Sequence, residues 1–221
     1  MKKESNFWQQ TVCEARHTVY AGADNTDKSV YVCDGGGNPV EAGGVWVKKT
    51  DVEQVVDWTQ LEAGKGNMLP KTVEEIIREL QEGRGVIAYN GDEEPVAYCR
   101  YLVWHKNLIE VGGTVVNPDP AAKKRRKGAG TRVNLQTIAM AHKTYPEAAI
   151  IGLAENAASC AMVSKMGAIE ADKDEVDPIV WDLCWKSGQE CAHFLAGEFP
   201  EFCPCILFIL THLAEGDQDG S

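Results

Sequence analysis

The feature that most constrains this chain is a strand, a basic glycine-bearing turn, a helix and another strand in direct succession. Residues 108–116 are rich in β-branched and apolar side chains and contain the pair Gly112-Gly113. The turn that follows holds five consecutive bases, Lys123 to Lys127, and then Gly128-Ala129-Gly130. Residues 128–142 read as a helix, Tyr145-Pro146 interrupts it, and residues 148–153 read as the next strand. Strand, helix and strand at this spacing require a right-handed crossover between parallel strands.

What precedes the crossover has another rhythm. Thr72-Val73-Glu74-Glu75 opens a helix whose Val73, Ile76, Ile77 and Leu80 stand at i, i+3, i+4 and i+7, and Gly83 and Gly85 close it. Residues 85–89 and 96–104 form strands about the tight turn Asn90-Gly91-Asp92, and 108–116 continue the meander. A meander followed by a crossover predicts a mixed α/β domain on one sheet. Upstream, residues 29–33 and 45–49 predict a β-hairpin about Asp34–Pro39. Thr50 or Asp51 then caps a helix over 51–61 that turns Val52, Val55, Val56 and Leu61 inward.

Composition narrows the partners. With 33 acids against 22 bases, a net charge of −11, the surface repels nucleic acid overall and favours cationic partners. No apolar run approaches the roughly 20 residues that cross a bilayer; 206–210 is far too short. The basic start has no apolar stretch behind it, so a cytoplasmic protein with its eight cysteines reduced is expected.

Each part of the 123–131 turn suits an anion. Small residues let backbone N–H groups approach a phosphate, the helix start supplies unpaired donors, and the bases add mobile charge. The pattern is not GxxxxGK[ST], since Thr131-Arg132 follow Gly130, and Val133 stands where a dinucleotide fingerprint needs a third small residue. A glycine-rich turn with solvated lysines is the other reading.

Arg125, Gly128 and Gly130, spaced Arg-x-x-Gly-x-Gly between strand and helix, resemble the acetyl-CoA pyrophosphate loop of the GNAT superfamily of acyltransferases. Glu110 to Pro118 is similar to that family's fourth strand and its exit, and Glu155-Asn156-Ala157-Ala158-Ser159 through Gly167-Ala168 to its second motif. The resemblance implies the GNAT fold, a central mixed and mostly antiparallel sheet flanked by helices, over residues 45–185. Residues 1–44 become an N-terminal extension, and 186–221 a Cys-containing C-terminal extension packed on the same domain.

Site roles follow from the same resemblance. Arg125 and Arg126, with the amides of Lys127, Gly128, Ala129, Gly130 and Thr131, would hold the pyrophosphate of acetyl-CoA. Val115 and Val116 would pair with the pantetheine arm, Gly112-Gly113 would permit a bulge that aims an N–H at the thioester carbonyl, and Asn156 and Ser159 would face the thiol end. Glu110 stands where many members place the general base; an exposed strand-end glutamate is the alternative. The usual general acid, a tyrosine, falls at Val163, which leaves water, Ser164 or Cys160. Met68-Leu69-Pro70 and Thr72–Ile76 are similar to the acceptor-side linker and helix of N-acetylglutamate synthase-like members, too briefly to name the acceptor.

The implied activity is direct transfer of an acetyl group from acetyl-CoA to a primary amine, on a small molecule or a peptide, in a ternary complex. A cationic acceptor suits the acidic bulk; neither nucleic acid nor membrane is a partner, and a homodimer is admitted. A CoA-binding protein without turnover and a nucleic-acid binder using 123–127 are the alternatives. Cys184, Cys191, Cys203 and Cys205, with His193 and His212 nearby, suggest either a tetrahedral metal site or buried thiols, though no recognised zinc spacing is present, and no metal ligand is assigned. Trp181 and Trp185 are assigned to a last strand, residues 199–204 to a loop across the cleft, and His105 to a solvated turn.

Overall fold

The computed structural model describes residues 17–21, 31–33, 46–66, 68–90, 94–122, 127–172, 180–181 and 205–211. In chain order these form β1 (His17–Ala21), β2 (Tyr31–Cys33), β3 (Trp46–Lys48), α1 (Lys49–Ala63), α2 (Val73–Gln81), β4 (Gly85–Asn90), β5 (Pro95–His105) and β6 (Leu108–Val116). A 3-10 turn at Pro120–Ala122 leads on to α3 (Ala129–Thr144), β7 (Ala149–Ala154), α4 (Ala157–Lys165), β8 (Ile169–Glu170) and β9 (Ile206–Ile209). Seven strands make one sheet in the order β1-β4-β5-β6-β7-β9-β8. Only β6 and β7 run parallel, joined by the crossover through α3; every other neighbouring pair is antiparallel.

Alternation along the central strands sends side chains to two separate cores. On β4, Val86 and Ala88 join a core with Val133, Ile138 and Ala141 of α3, whereas Ile87 and Tyr89 join one with Val52, Val55 and Trp58 of α1 and Ile76 and Leu80 of α2. Both faces are thus covered, which is why all six residues of β4 are buried. On β6, Ile109 and Val111 face the α3 side, but Val115 faces the α1/α2 side. Residues four apart on a regular strand share a face, so Val111 and Val115 can part only across an extra residue. The register supplies it: Tyr98 pairs with Val115 and Arg100 with Gly112, so Cys99 opposes both Gly113 and Thr114. Gly113 takes φ +64°, a conformation that costs a side-chain-bearing residue about 1–2 kcal/mol.

The bulge is followed by a split. β6 and β7 pair only from Leu108↔Ala149 to Glu110↔Ile151. Beyond that rung both strands line a cavity, so Glu110 sits at its apex.

Several expectations change. β2 and β3 pair in parallel and are no hairpin; the twelve residues between Cys33 and Trp46 are about the length a parallel crossover needs. The first helix begins at Lys49 without a side-chain cap, because Asp51 turns inward to accept a hydrogen bond from Tyr89 Oη at 2.9 Å. Leu61 is exposed, nine residues and therefore half a helical rotation away from Val52; Trp58 and Thr59 take its place inside. Residues 180–181 are helical where the strand through Trp181 was expected, Trp185 lies outside the described residues, and β9 is the strand that flanks β7. Strand β1 gave no signal in the sequence and pairs with β4 along the sheet edge. No helix among the described residues is long and apolar enough to cross a membrane.

Candidate active site

The cavity has a volume of about 1170 Å³ and opens between the split strands, the α1–α2 linker, α2 and α4. Its β6 wall runs from Glu110 to Val116 and its β7 wall from Gly152 to Ala154, with Glu155, Asn156, Ser159, Met162 and Val163 beyond.

Glu110 is buried, with Trp104 Nε1 donating to its Oε2 at 3.1 Å. Trp104, Leu102, Arg100, Glu110 and Gly112 share one face, because Leu102 pairs with Glu110 and Arg100 with Gly112. The Glu110 carboxylate folds back over Gly112, where an added Cβ would stand only 2.8 Å from Oε1. A glycine at 112 is therefore what lets the carboxylate lie against the bulge.

A second charged group occupies the same face. Glu79 projects inward from α2 and accepts from Lys71 Nζ at 2.7 Å; the Arg100 Nε lies 3.3 Å from the same oxygen, and Tyr98 Oη donates to the other. Glu79, Tyr98 and Arg100 are all buried. The Lys71 backbone is held by its N–H on Thr59 Oγ1 at 3.1 Å, which ties the linker to α1. The Lys71 ammonium is pushed below its ordinary value, first by burial and then by the Arg100 charge. Tyr98 is raised well above its ordinary value by burial and by Glu79. Removing one member of such a group leaves an uncompensated buried charge, at a cost of about 3–5 kcal/mol.

At the other end, α3 starts from Gly128 in the left-handed conformation, φ +75°. Its first intrahelical bond runs from Arg132 N–H to the Gly128 carbonyl, so the amides before it are the helix's orphan donors. Lys127 to Thr131 do not themselves line the cavity. They abut it: a Cβ on Gly130 would come within 3.1 Å of Met162 Sδ and 3.2 Å of Val116 Cγ2, two side chains that do. Asn134 Nδ2 ties this turn to the bulged strand, donating to the Gly130 carbonyl at 2.8 Å and to Thr114 Oγ1 at 2.9 Å. Arg132 Nη2 donates to the Lys127 carbonyl at 2.8 Å.

Of the residues the sequence singled out, Glu110, Val115, Val116, Asn156 and Ser159 line the cavity. Asn156 and Ser159 are spent on each other in a capping box that starts α4, with Asn156 Oδ1 accepting from Ser159 N–H at 2.9 Å. Val163 lines the wall at the position expected for a tyrosine; Ser164 and Cys160 do not line it, nor does any tyrosine among the described residues. Arg125, Arg126, the 199–204 loop, Cys184, Cys191, Cys203, His193 and His212 lie outside the described residues, while Cys205 lines the wall. His105 is exposed at its turn.

Sequence reasoning missed Lys71, Glu79, Arg100, Trp104 and Asn134. Two carried a signal: Arg100 is the only charged residue in 96–104, and Glu79 sits between Ile76 and Leu80 on the apolar face of α2. A charge on a core-facing position needs a partner.

A mixed sheet split between β6 and β7, bulged at Gly112-Gly113 and served by a helix that starts from a left-handed glycine beside the split, is the GNAT fold. The comparisons agree. No protein-family model matches the chain, and no curated protein matches its sequence. Among solved structures, N-acetylglutamate synthase from Neisseria gonorrhoeae, complexed with coenzyme A and N-acetyl-glutamate, superposes with a TM-score of 0.52 at 11% identity. That match covers 87% of this chain but only 34% of the synthase. Rv2747 from Mycobacterium tuberculosis, also in complex with CoA, gives 0.54 at 18% identity over 73% of this chain and 95% of that one.

Proposed function

We propose that the chain is an N-acetyltransferase that moves an acetyl group from acetyl-CoA to a primary amine by direct attack in a ternary complex. The observation that carries this reading is the split beyond Glu110↔Ile151, walled by a bulged strand on one side and abutted by the start of α3. The fold adds support, since the two superposed proteins hold coenzyme A.

In this reading the edge of β6 at Val115 and Val116 that β7 no longer covers pairs with the pantetheine arm as though it were another strand. The amides of Lys127 to Thr131 take the pyrophosphate at the positive end of α3, and Arg125 and Arg126 add charge from the adjoining turn. Glu110, steadied by Trp104, removes a proton from the acceptor ammonium directly or through water, a contribution of ~10²–10⁴-fold. The freed amine attacks the thioester carbon, the C–S bond breaks, and the leaving thiolate takes its proton from water, as Val163 offers none.

Calorimetry with acetyl-CoA, followed by colorimetric detection of free thiol over a panel of amines, tests the assignment. Binding with amine-dependent thiol release is expected, and Glu110→Gln is expected to lower kcat/KM and change its pH profile. Absence of heat with acetyl-CoA refutes the reading; binding without thiol release would leave a CoA-binding protein.

A further inference from the structure

We propose that the acceptor is an amine that also carries a carboxylate, bound as a zwitterion with its nitrogen toward Glu110 and its carboxylate on Arg100. The inference rests on the acetyl-transfer reading and specifies its second substrate.

Two cations, Lys71 and Arg100, share the single carboxylate of Glu79. Tyr98 Oη and Lys71 Nζ both donate to that carboxylate, whereas the Arg100 Nε, 3.3 Å away, makes an ion pair without a hydrogen bond. Glu75, closer to solvent, has its Oε2 engaged by the Thr72 N–H in the cap of α2 and is also drawn by the charges of Lys71 and Arg78. Both carboxylates thus act on Lys71, and within the buried group Arg100 is the less engaged cation. Its donors are also underused: Arg100 is 9% exposed, and its Nη1 is buried with no hydrogen-bond partner among the described residues. A guanidinium with an unused donor on a cavity wall matches a planar oxyanion.

Position makes the proposal specific. Arg100 pairs with Gly112, so on the same sheet face Arg100 is the diagonal neighbour of Glu110, about 7–8 Å away by sheet geometry. The two glycines of the bulge carry one charged group each. The Glu110 carboxylate lies over Gly112, and the Arg100 guanidinium lies against Gly113, whose Cβ would be 3.4 Å from Nε. A negative group and a positive group thus flank the point where the thioester carbonyl is placed. An amino acid carries the complementary ammonium and carboxylate on one small molecule. The overall charge of −11 opposes an anion at long range, but that field is screened within about 8–10 Å, and the last contact is set by the local pair.

The test is calorimetry on the CoA-saturated full chain with N-acetylated amino acids of neutral, acidic and basic side chain, each against its carboxamide. The free acids are expected to bind roughly ten- to a hundredfold more tightly than the carboxamides. Arg100→Lys, which keeps the charge and loses the fork, is expected to remove most of that preference while CoA binding stays intact; Lys71→Met is expected to reduce it. Retained CoA binding and thermal melting show that each variant is folded. Equal affinity for acid and carboxamide, no binding of either while CoA binds, or a preference for O-phosphoethanolamine over the free acids would overturn the carboxylate subsite alone. Absence of CoA binding would overturn the transferase reading and this inference with it.

Discussion

Gly112→Ala separates the placing of the Glu110 carboxylate from the stability of the strand that carries it. A Cβ at position 112 would stand 2.8 Å from Glu110 Oε1, and ordinary contact begins near 3.4 Å. The carboxylate must therefore retreat by about 0.6 Å (3.4 − 2.8), straining its 3.1 Å bond from Trp104 Nε1. If a 1 Å misplacement costs about 10²-fold, a retreat of this size costs roughly ten- to twentyfold in kcat. Stability is expected to change little. The atom met is the end of a flexible side chain, and the loss of unfolded-chain entropy on replacing glycine contributes about 0.4–1 kcal/mol in the opposite direction. Steady-state kinetics with acetyl-CoA as varied substrate should show kcat reduced and the KM for acetyl-CoA nearly unchanged, with Tm within a few degrees of the native value. In a Glu110→Gln background the same substitution should cost nothing further. An unchanged kcat, or a loss that persists in that background, refutes the claim that Gly112 serves the carboxylate.

The neighbouring glycine should behave in the reverse manner. Gly113→Ala is expected to destabilise by about 1–2 kcal/mol in denaturant titration, because φ +64° is unfavourable for alanine; a neutral result would mean that the bulge relaxes. Asp51 gives a pH prediction. Burial raises its pKa above the ordinary value despite the Tyr89 bond, so between the unfolded and folded values the native state binds more protons and stability falls as pH rises. Asp51→Asn keeps an acceptor for Tyr89 and removes this dependence, so the stability of the variant relative to the native protein should be higher at pH 7 than at pH 4. The opposite trend would show that the helix start stabilises the charge by more than burial penalises it.

The crossover, the meander and the glycine-bearing turn were legible because each is written in local pattern. The apolar period of α2, the Thr72/Glu75 capping box and the length of β6 depend on residues within a turn or two of one another. The bulge at 112–113 was expected from the family likeness, and the paired glycines there permit it. The direction of β2–β3 pairing was not legible, because a connection of twelve residues is long enough for a hairpin or for a parallel crossover. Nor was β1, whose partner lies some seventy residues on; His17 faces Asn90.

The site divides in the same way. The helix-starting turn beside the cavity and Glu110 on its wall could be singled out from spacing and family likeness. The Lys71–Glu79–Arg100 group could not, because its members come from a linker, a helix and a strand, and although Glu79 and Arg100 each signal a buried charge, nothing local says which partners meet. By itself the chain dictated the helices and strands of the meander and crossover and which turn would start a helix with bare amides, since propensity, period and capping act over a few residues. Tertiary structure alone decided where the sheet parts, which carboxylate lies over which glycine and which cation keeps an unspent donor. Those outcomes depend on burial and on charges meeting across long sequence separations.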